Sequence, residues 1–132
     1  MIQWDSKQKV TILIAEENRD VALLAAATFV LKGYEVYKTY SAEECLTKLQ
    51  ELKEKINVVF MDGKIAADRG AMVIVNIKRI NPNIKILAVA DDESEKTRVL
   101  DYGADGFTTK PISMETIVDK VSALLTVGIS IG

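Results

Sequence analysis

Short apolar runs and longer amphipathic stretches alternate along this chain. Val10-Thr11-Ile12-Leu13-Ile14-Ala15, Val58-Val59-Phe60-Met61 and Ile84-Lys85-Ile86-Leu87-Ala88-Val89-Ala90 are nearly unbroken apolar runs rich in β-branched residues. That pattern predicts strands buried on both faces. Tyr34 to Thr39 carries polar residues at alternate positions, as a strand near a sheet edge does. Gly106-Phe107-Thr108-Thr109 reads as a short fifth strand.

Each interval between strands reads as a helix. The first covers Arg19 or Asp20 to Lys32, with Gly33 as a left-handed stop. Ser41-Ala42-Glu43-Glu44 is a capping box, and Ala42, Cys45, Leu46 and Leu49 share one face of the helix it opens. Gly63 to about Gly70 reads as a loop leading into a helix from about Ala71 to Ile80, with Val73, Ile77 and Ile80 inward. Asn81-Pro82-Asn83 is a turn. A polar helix from about Ser94 to Tyr102, apolar only at Val99 and Leu100, stops at Gly103. Ser113 caps a final helix whose Ile117, Val121, Leu124 and Leu125 are spaced to pack on a sheet.

Strands alternating with helices at this spacing predict a parallel sheet with right-handed crossovers and helices on both faces. The fold class is α/β, a doubly wound five-stranded parallel sheet with five helices in a flavodoxin-like three-layer sandwich. The boundaries expected are a lead-in at 1–8, a domain at 9–126 and a tail or truncated linker at 127–132. Trp4 lies in the lead-in, where it would cover an edge of the fold.

Composition narrows the chemistry. The 132 residues suit one domain, 48% hydrophobic and 27% charged. Seventeen basic against 19 acidic residues leave no broad cationic surface, so neither direct nucleic-acid binding nor a membrane anchor is expected. A lone cysteine, Cys45, excludes an internal disulfide. With no apolar run of spanning length and no signal-like N-terminus, it suggests a cytoplasmic protein. Helical spacing makes Cys45 a core residue. The absence of histidine removes histidine-based acid–base catalysis, the serine and cysteine triads, and most zinc sites. Any bound metal must take oxygen ligands, which favours magnesium or calcium.

Charge then sits at three strand ends: Glu16 and Glu17 after the first strand, Asp62 after the third, and Lys110 after the fifth. Carboxyl ends of parallel strands are where ligands collect, although Asp62 equally suits a helix cap or turn. Strand order is not readable from the sequence, but in the flavodoxin-like order 2-1-3-4-5 the switch point between strands one and three would bring the three carboxylates to one crevice. A magnesium ion would relieve their repulsion and accept a phosphate oxygen, with a lysine nearby as a point charge. The set describes phosphoryl transfer with Asp62 as nucleophile.

The chain resembles the response-regulator receiver domains of two-component signalling, the CheY-like superfamily, from about Lys9 to Leu125. The resemblance rests on Ile12-Leu13-Ile14-Ala15-Glu16-Glu17, Val58-Val59-Phe60-Met61-Asp62, Gly103-Ala104-Asp105-Gly106-Phe107 and Thr109-Lys110-Pro111. It implies a phosphoacceptor domain rather than an enzyme in the usual sense. Asp62 would take its phosphoryl group from a phosphohistidine of a sensor histidine kinase or phosphotransfer protein. It implies magnesium held by Glu16, Glu17, Asp62 and the backbone carbonyl of Lys64. Lys110 would pair with the phosphate, and the Lys110–Pro111 peptide would be cis. A downstream protein would bind the polar fourth helix, the fifth strand and the fifth helix. The domain would stand alone or belong to a larger regulator or hybrid kinase.

Three departures from the family pattern qualify what is implied. The acidic pair is Glu16-Glu17, where the family usually includes aspartate. The switch hydroxyl at the end of strand four is replaced by alanine, Ala90 or Ala88 depending on the register, while Phe107 fills the aromatic switch position. Ala66 stands where proline is common, which predicts a looser Gly63–Gly70 segment. The departures leave a second class open: a pseudo-receiver that binds a partner without phosphorylation. A flavin or dinucleotide site is disfavoured because Glu16-Glu17-Asn18 would repel phosphate. A haloacid-dehalogenase-like phosphatase is disfavoured by Lys64 two residues after Asp62, which reads as a solvated loop lysine.

Overall fold

The computed structural model describes residues 9–67 and 71–126. Five parallel strands form one sheet in the order β2-β1-β3-β4-β5: β1 Thr11–Ala15, β2 Glu35–Thr39, β3 Val58–Asp62, β4 Lys85–Ala90 and β5 Gly106–Thr109. The helices among the described residues are α1 Arg19–Leu31, α2 Ala42–Leu52, α3 Gly63–Ala66, α4 Met72–Ile80, α5 Lys96–Asp101 and α6 Met114–Thr126. A 3-10 turn at Glu93–Glu95 precedes α5. The doubly wound α/β reading therefore holds, with one short helix more than expected.

Side-chain alternation along the strands builds two cores, one on each face of the sheet. Ile12, Ile14, Val58, Phe60, Leu87 and Val89 face α1 and α6, where Phe29 meets Phe60 edge-on at 5.8 Å between ring centroids. Leu13, Ala15, Val59, Met61, Ile86 and Ala88 face α2 and α4 and pack with Cys45, Leu49, Ile74 and Ile77. β1 and β3 are buried throughout because they lie inside the sheet and are covered on both faces. β2, at the edge, is only partly buried, in keeping with its polar alternation.

Caps set the helix starts. Asn18 accepts the Asp20 and Val21 amides at α1, Ser41 accepts the Glu44 amide at α2, and Ser113 accepts the Thr116 amide at α6. At the second of these, Glu44 reaches back to the Tyr40 amide, one residue before the cap itself. Gly33, at φ +96, ends α1 in the left-handed conformation expected of it.

The segment after β3 corrects the reading as a loop, because Gly63–Ala66 is a helical turn started by the Asp62 side chain. Ala66 is fully buried in it. Residues 68–70 of that expected loop, with Trp4 and the 127–132 tail, lie outside the described residues. The polar helix expected at Ser94–Tyr102 is shortened by the 3-10 turn, and it buries Val99 but leaves Leu100 exposed. Ile80, Leu124 and Leu125 are half-buried at the margins of the two cores.

Candidate phosphoacceptor site

Strand order gathers the charged strand ends. β1 and β3 are neighbours, with Ala15 paired to Met61, so Glu16 and Asp62 emerge side by side. β4 runs between β3 and β5, and its last residue, Ala90, pairs with Thr109. Lys110 follows at once and reaches back across β4 towards Asp62.

Asp62 is almost wholly buried at 3% exposure, and both of its carboxylate oxygens are engaged. Oδ1 accepts the Lys110 ammonium at 2.9 Å, and Oδ2 accepts the Lys64 amide at 3.1 Å. The carboxylate thus caps α3 and pairs with Lys110 at once, so the helix-cap reading of Asp62 holds. The α3 turn can close this tightly because residue 63 is glycine. A Cβ there would come within 2.6 Å of Ala90 Cα and Cβ and 2.9 Å of the Val89 carbonyl oxygen.

Glu16 is also buried, at 6% exposure, and its Oε2 accepts the Asn18 amide at 2.9 Å. Burial raises its pKa above the ordinary 4.5; the Asn18 amide opposes this, and the neighbouring charge of Asp62 adds to it. Lys110 is pulled down by burial. The hydrogen bond and charge of Asp62, with the charges of Asp91 and Glu16, outweigh that and hold it above the usual lysine value. Its ammonium also lies 3.6 Å from Asp91, the exposed residue that follows Ala90.

Other expected residues stand further off. Glu17 is exposed, although its charge still bears on Glu16. Among the described residues no three acidic, histidine or cysteine side chains gather closely enough to hold a metal ion. Of the three strand-end carboxylates, Glu16 and Asp62 are buried while Glu17 is exposed. Ala90 stands at the rim, its carbonyl accepting the Lys110 amide at 2.8 Å, while Ala88 is buried mid-strand opposite Met61 and Phe107. Phe107 is partly buried against the α2–α4 core. Lys64 projects into solvent. The Lys110–Pro111 peptide is cis.

The donor set suits a hard cation. Magnesium keeps several waters and binds through one or two carboxylates, and Glu16, Asp62 and the Lys64 carbonyl supply only oxygen. Glu16 and Asp62 are like-charged and buried, and no hydrogen bond from the described residues reaches the second Glu16 oxygen. A cation would relieve that arrangement.

Sequence reasoning missed two features. Asp91 shares Lys110 with Asp62, which the acidic run Asp91-Asp92-Glu93 after β4 could have signalled. An apolar groove of about 450 Å³ also opens beside Asp62, lined by Val21, Leu24, Lys110, Pro111, Ile112 and Met114 among others. Val21 and Leu24, at helical spacing just after the acidic turn, were its available sign.

The chain matches the family model described as the response regulator receiver domain over residues 12–122. A curated relative, response regulator RR06 of Streptococcus pneumoniae serotype 2 (strain D39 / NCTC 7466), is 30% identical over 118 residues. The match takes in 88% of this chain and 53% of RR06, so the chain spans about half the length of that relative. Among solved structures, the CheX–CheY–BeF3–Mg complex from Borrelia burgdorferi matches at TM-score 0.82 and 20% identity, covering 94% of this chain and 95% of that one. A response regulator from Burkholderia pseudomallei, with a phosphorylated aspartic acid, calcium ion and citrate, matches at TM-score 0.72 and 24% identity. That match covers 87% of this chain and 72% of the other. These structural likenesses bear on the fold.

Proposed function

Because this chain belongs to the response regulator receiver domain family, we propose that Asp62 accepts a phosphoryl group from a phosphohistidine of a sensor histidine kinase or phosphotransfer protein. The observation that carries this reading is the buried Asp62 carboxylate held by Lys110 at 2.9 Å at the rim of the sheet. A phosphorylated aspartic acid in the Burkholderia relative supports it.

In the transfer, an Asp62 oxygen attacks phosphorus, an O–P bond forms and the P–N bond breaks. The electron pair stays with the imidazole nitrogen, which takes its proton from solvent. Lys110 holds the acceptor and then the phosphoryl oxygens by charge. Charge counting shows what is lacking: one ammonium already faces Asp62, Glu16 and Asp91, and a phosphoryl group adds further negative charge. Magnesium, held by Glu16, Asp62 and the Lys64 carbonyl, with Glu17 at its outer side, would supply the missing positive charge. Magnesium in the Borrelia complex and calcium in the Burkholderia structure support that assignment.

We take residues 9–126 as the receiver domain of a cytoplasmic signalling protein, with 1–8 a lead-in and 127–132 a tail or the start of a linker. The downstream protein partner binds α5, β5 and α6, a reading that the CheX–CheY pairing in the Borrelia structure supports in kind. No helix among the described residues is long and apolar enough to cross a membrane.

The test uses phosphoramidate, a small donor with a P–N bond, with and without magnesium, followed by mapping of the adduct. A magnesium-dependent phosphoryl group on the peptide containing Asp62 is the expected result. No adduct, together with no magnesium binding, would overturn the reading and leave a constitutive interaction module.

A further inference from the structure

The groove beside Asp62 has more apolar wall than a metal ion alone would use. Its volume of about 450 Å³ falls in the range of small-molecule pockets. Phe60, Val89 and Ile117 are its buried lining, while Leu24 on α1 and Ile112 and Met114 at the start of α6 are the more exposed part. Charge enters the lining only through Glu16, Asp62 and Lys110.

Those three groups select the occupant. Lys110 is the only cation of the lining, and its ammonium already donates to Asp62 at 2.9 Å, with Asp91 at 3.6 Å. Arg19, the cation at the start of α1, does not line the groove; its guanidinium lies over the Tyr40 ring at 3.8 Å. Glu16 is left without a counter-charge of its own. It is only 6% exposed, its Oε2 accepts the Asn18 amide, and no hydrogen bond from the described residues reaches its Oε1. A buried carboxylate oxygen without a donor is costly, and an ammonium would satisfy it through a charge-assisted hydrogen bond. An anionic ligand would instead meet two carboxylates, and a neutral one would leave the Glu16 charge uncompensated.

We propose that the groove binds a small amphipathic organic cation, its ammonium on Glu16 and its apolar part against Leu24, Ile112 and Met114. The Met114 sulfur favours an aromatic ring in that position. Magnesium at the acceptor site would use the same Glu16 carboxylate, so the organic cation and the metal exclude each other. The ligand is then an inhibitor of phosphoryl acceptance, a consequence that rests on the proposed role of Asp62.

The test titrates the whole chain with phenethylamine at constant ionic strength and follows backbone amide shifts. Binding should be weak, with a dissociation constant on the order of 1 mM and the largest shifts near Leu24, Ile112 and Met114. Phenethyl alcohol and hydrocinnamate, of similar size, should bind at least about ten-fold more weakly than the amine. Glu16→Gln should cut the advantage of the amine over the alcohol to under about three-fold. Leu24→Ser, at an exposed position, should weaken the amine at least about three-fold and leave magnesium affinity unchanged. Excess magnesium should displace the amine. Magnesium is also titrated without amine, so failure of the acceptor reading shows in that titration and failure of this one in the amine's. No amine binding, equal affinity for amine and alcohol, tighter binding of the carboxylate, or an unaltered preference in Glu16→Gln would overturn the proposal. So would retention of the amine by a chain that binds magnesium.

Discussion

The Lys110 ammonium donates to Asp62 Oδ1 at 2.9 Å although 48 residues separate the two along the chain. Asp62 is almost fully buried, whereas the lysine side chain is 40% exposed. Removing the lysine leaves Asp62 and Glu16 facing each other without a counter-charge. Solvent reaches the pair, so the cost falls below that of a fully buried one. Lys110→Ala should lower stability by about 1–2 kcal/mol in urea denaturation at pH 7. Adding Asp62→Asn should recover part of the loss, because it removes one of the two repelling charges. Equal, additive losses in the double-mutant cycle would contradict the coupling.

Gly63 lies so close to Ala90 at the foot of Asp62 that a Cβ at position 63 would strike atoms that are backbone or bonded to backbone. Gly63→Ala should cost about 1–3 kcal/mol and lower phosphoryl acceptance, since the displaced turn carries the Lys64 carbonyl. Gly33→Ala is the comparison. It has open space around it but φ of +96, so only backbone strain counts against it, about 1 kcal/mol, with acceptance intact. Denaturation midpoints and phosphorylation rates of both variants check the contrast.

Burial pushes the Cys45 thiol up from its ordinary 9.0 to about 12, against a smaller opposing effect of Thr39. The folded thiol should resist an aromatic disulfide reagent at pH 8 and react fully in urea. The sign of the linkage follows from the raised value: ionisation is easier in the unfolded chain. Stability from the neutral thiol is whole below pH 9 and is lost as pH rises from about 9 through 12. Cys45→Ala should flatten that alkaline decline, and rapid modification of the folded protein would contradict it.

Ala90 offers no hydroxyl to a phosphoryl group on Asp62, so phosphorylation has no hydrogen bond there with which to draw in the loop after β4. Backbone amide shifts of α5 and β5 should change little on phosphorylation of the native chain. In Ala90→Thr they should change more, and at Phe107 in particular. Large native changes equal to those of the variant would show that another contact, such as Lys110 with Asp91, transmits the signal.

What the sequence made legible follows from how local each cause is. The bounds of β3 were readable because its apolar run ends abruptly in Asp62, and those of β5 because the short Gly106–Thr109 segment stops at Lys110-Pro111. The caps at Ser41 and Ser113 were readable because capping is a contact over two or three residues. The α3 turn was not, since Gly63 and Lys64 look like a loop, and the cap that Asp62 suited gave no sign of so short a helix directly after it. Nor was the contrast between buried Glu16 and exposed Glu17, since the two are the same residue type. The apolar outer face of α1 was readable as composition but not as exposure, because a buried and an exposed leucine look alike in sequence.

The central claim is that Asp62 is a working phosphoacceptor. Intact-mass analysis after incubation with acetyl phosphate and magnesium, beside an Asp62→Asn control, tests it most directly. The account predicts a magnesium-dependent gain of one phosphoryl group in the native chain and none in the control. An unmodified native chain, or an equal gain in Asp62→Asn, would contradict it.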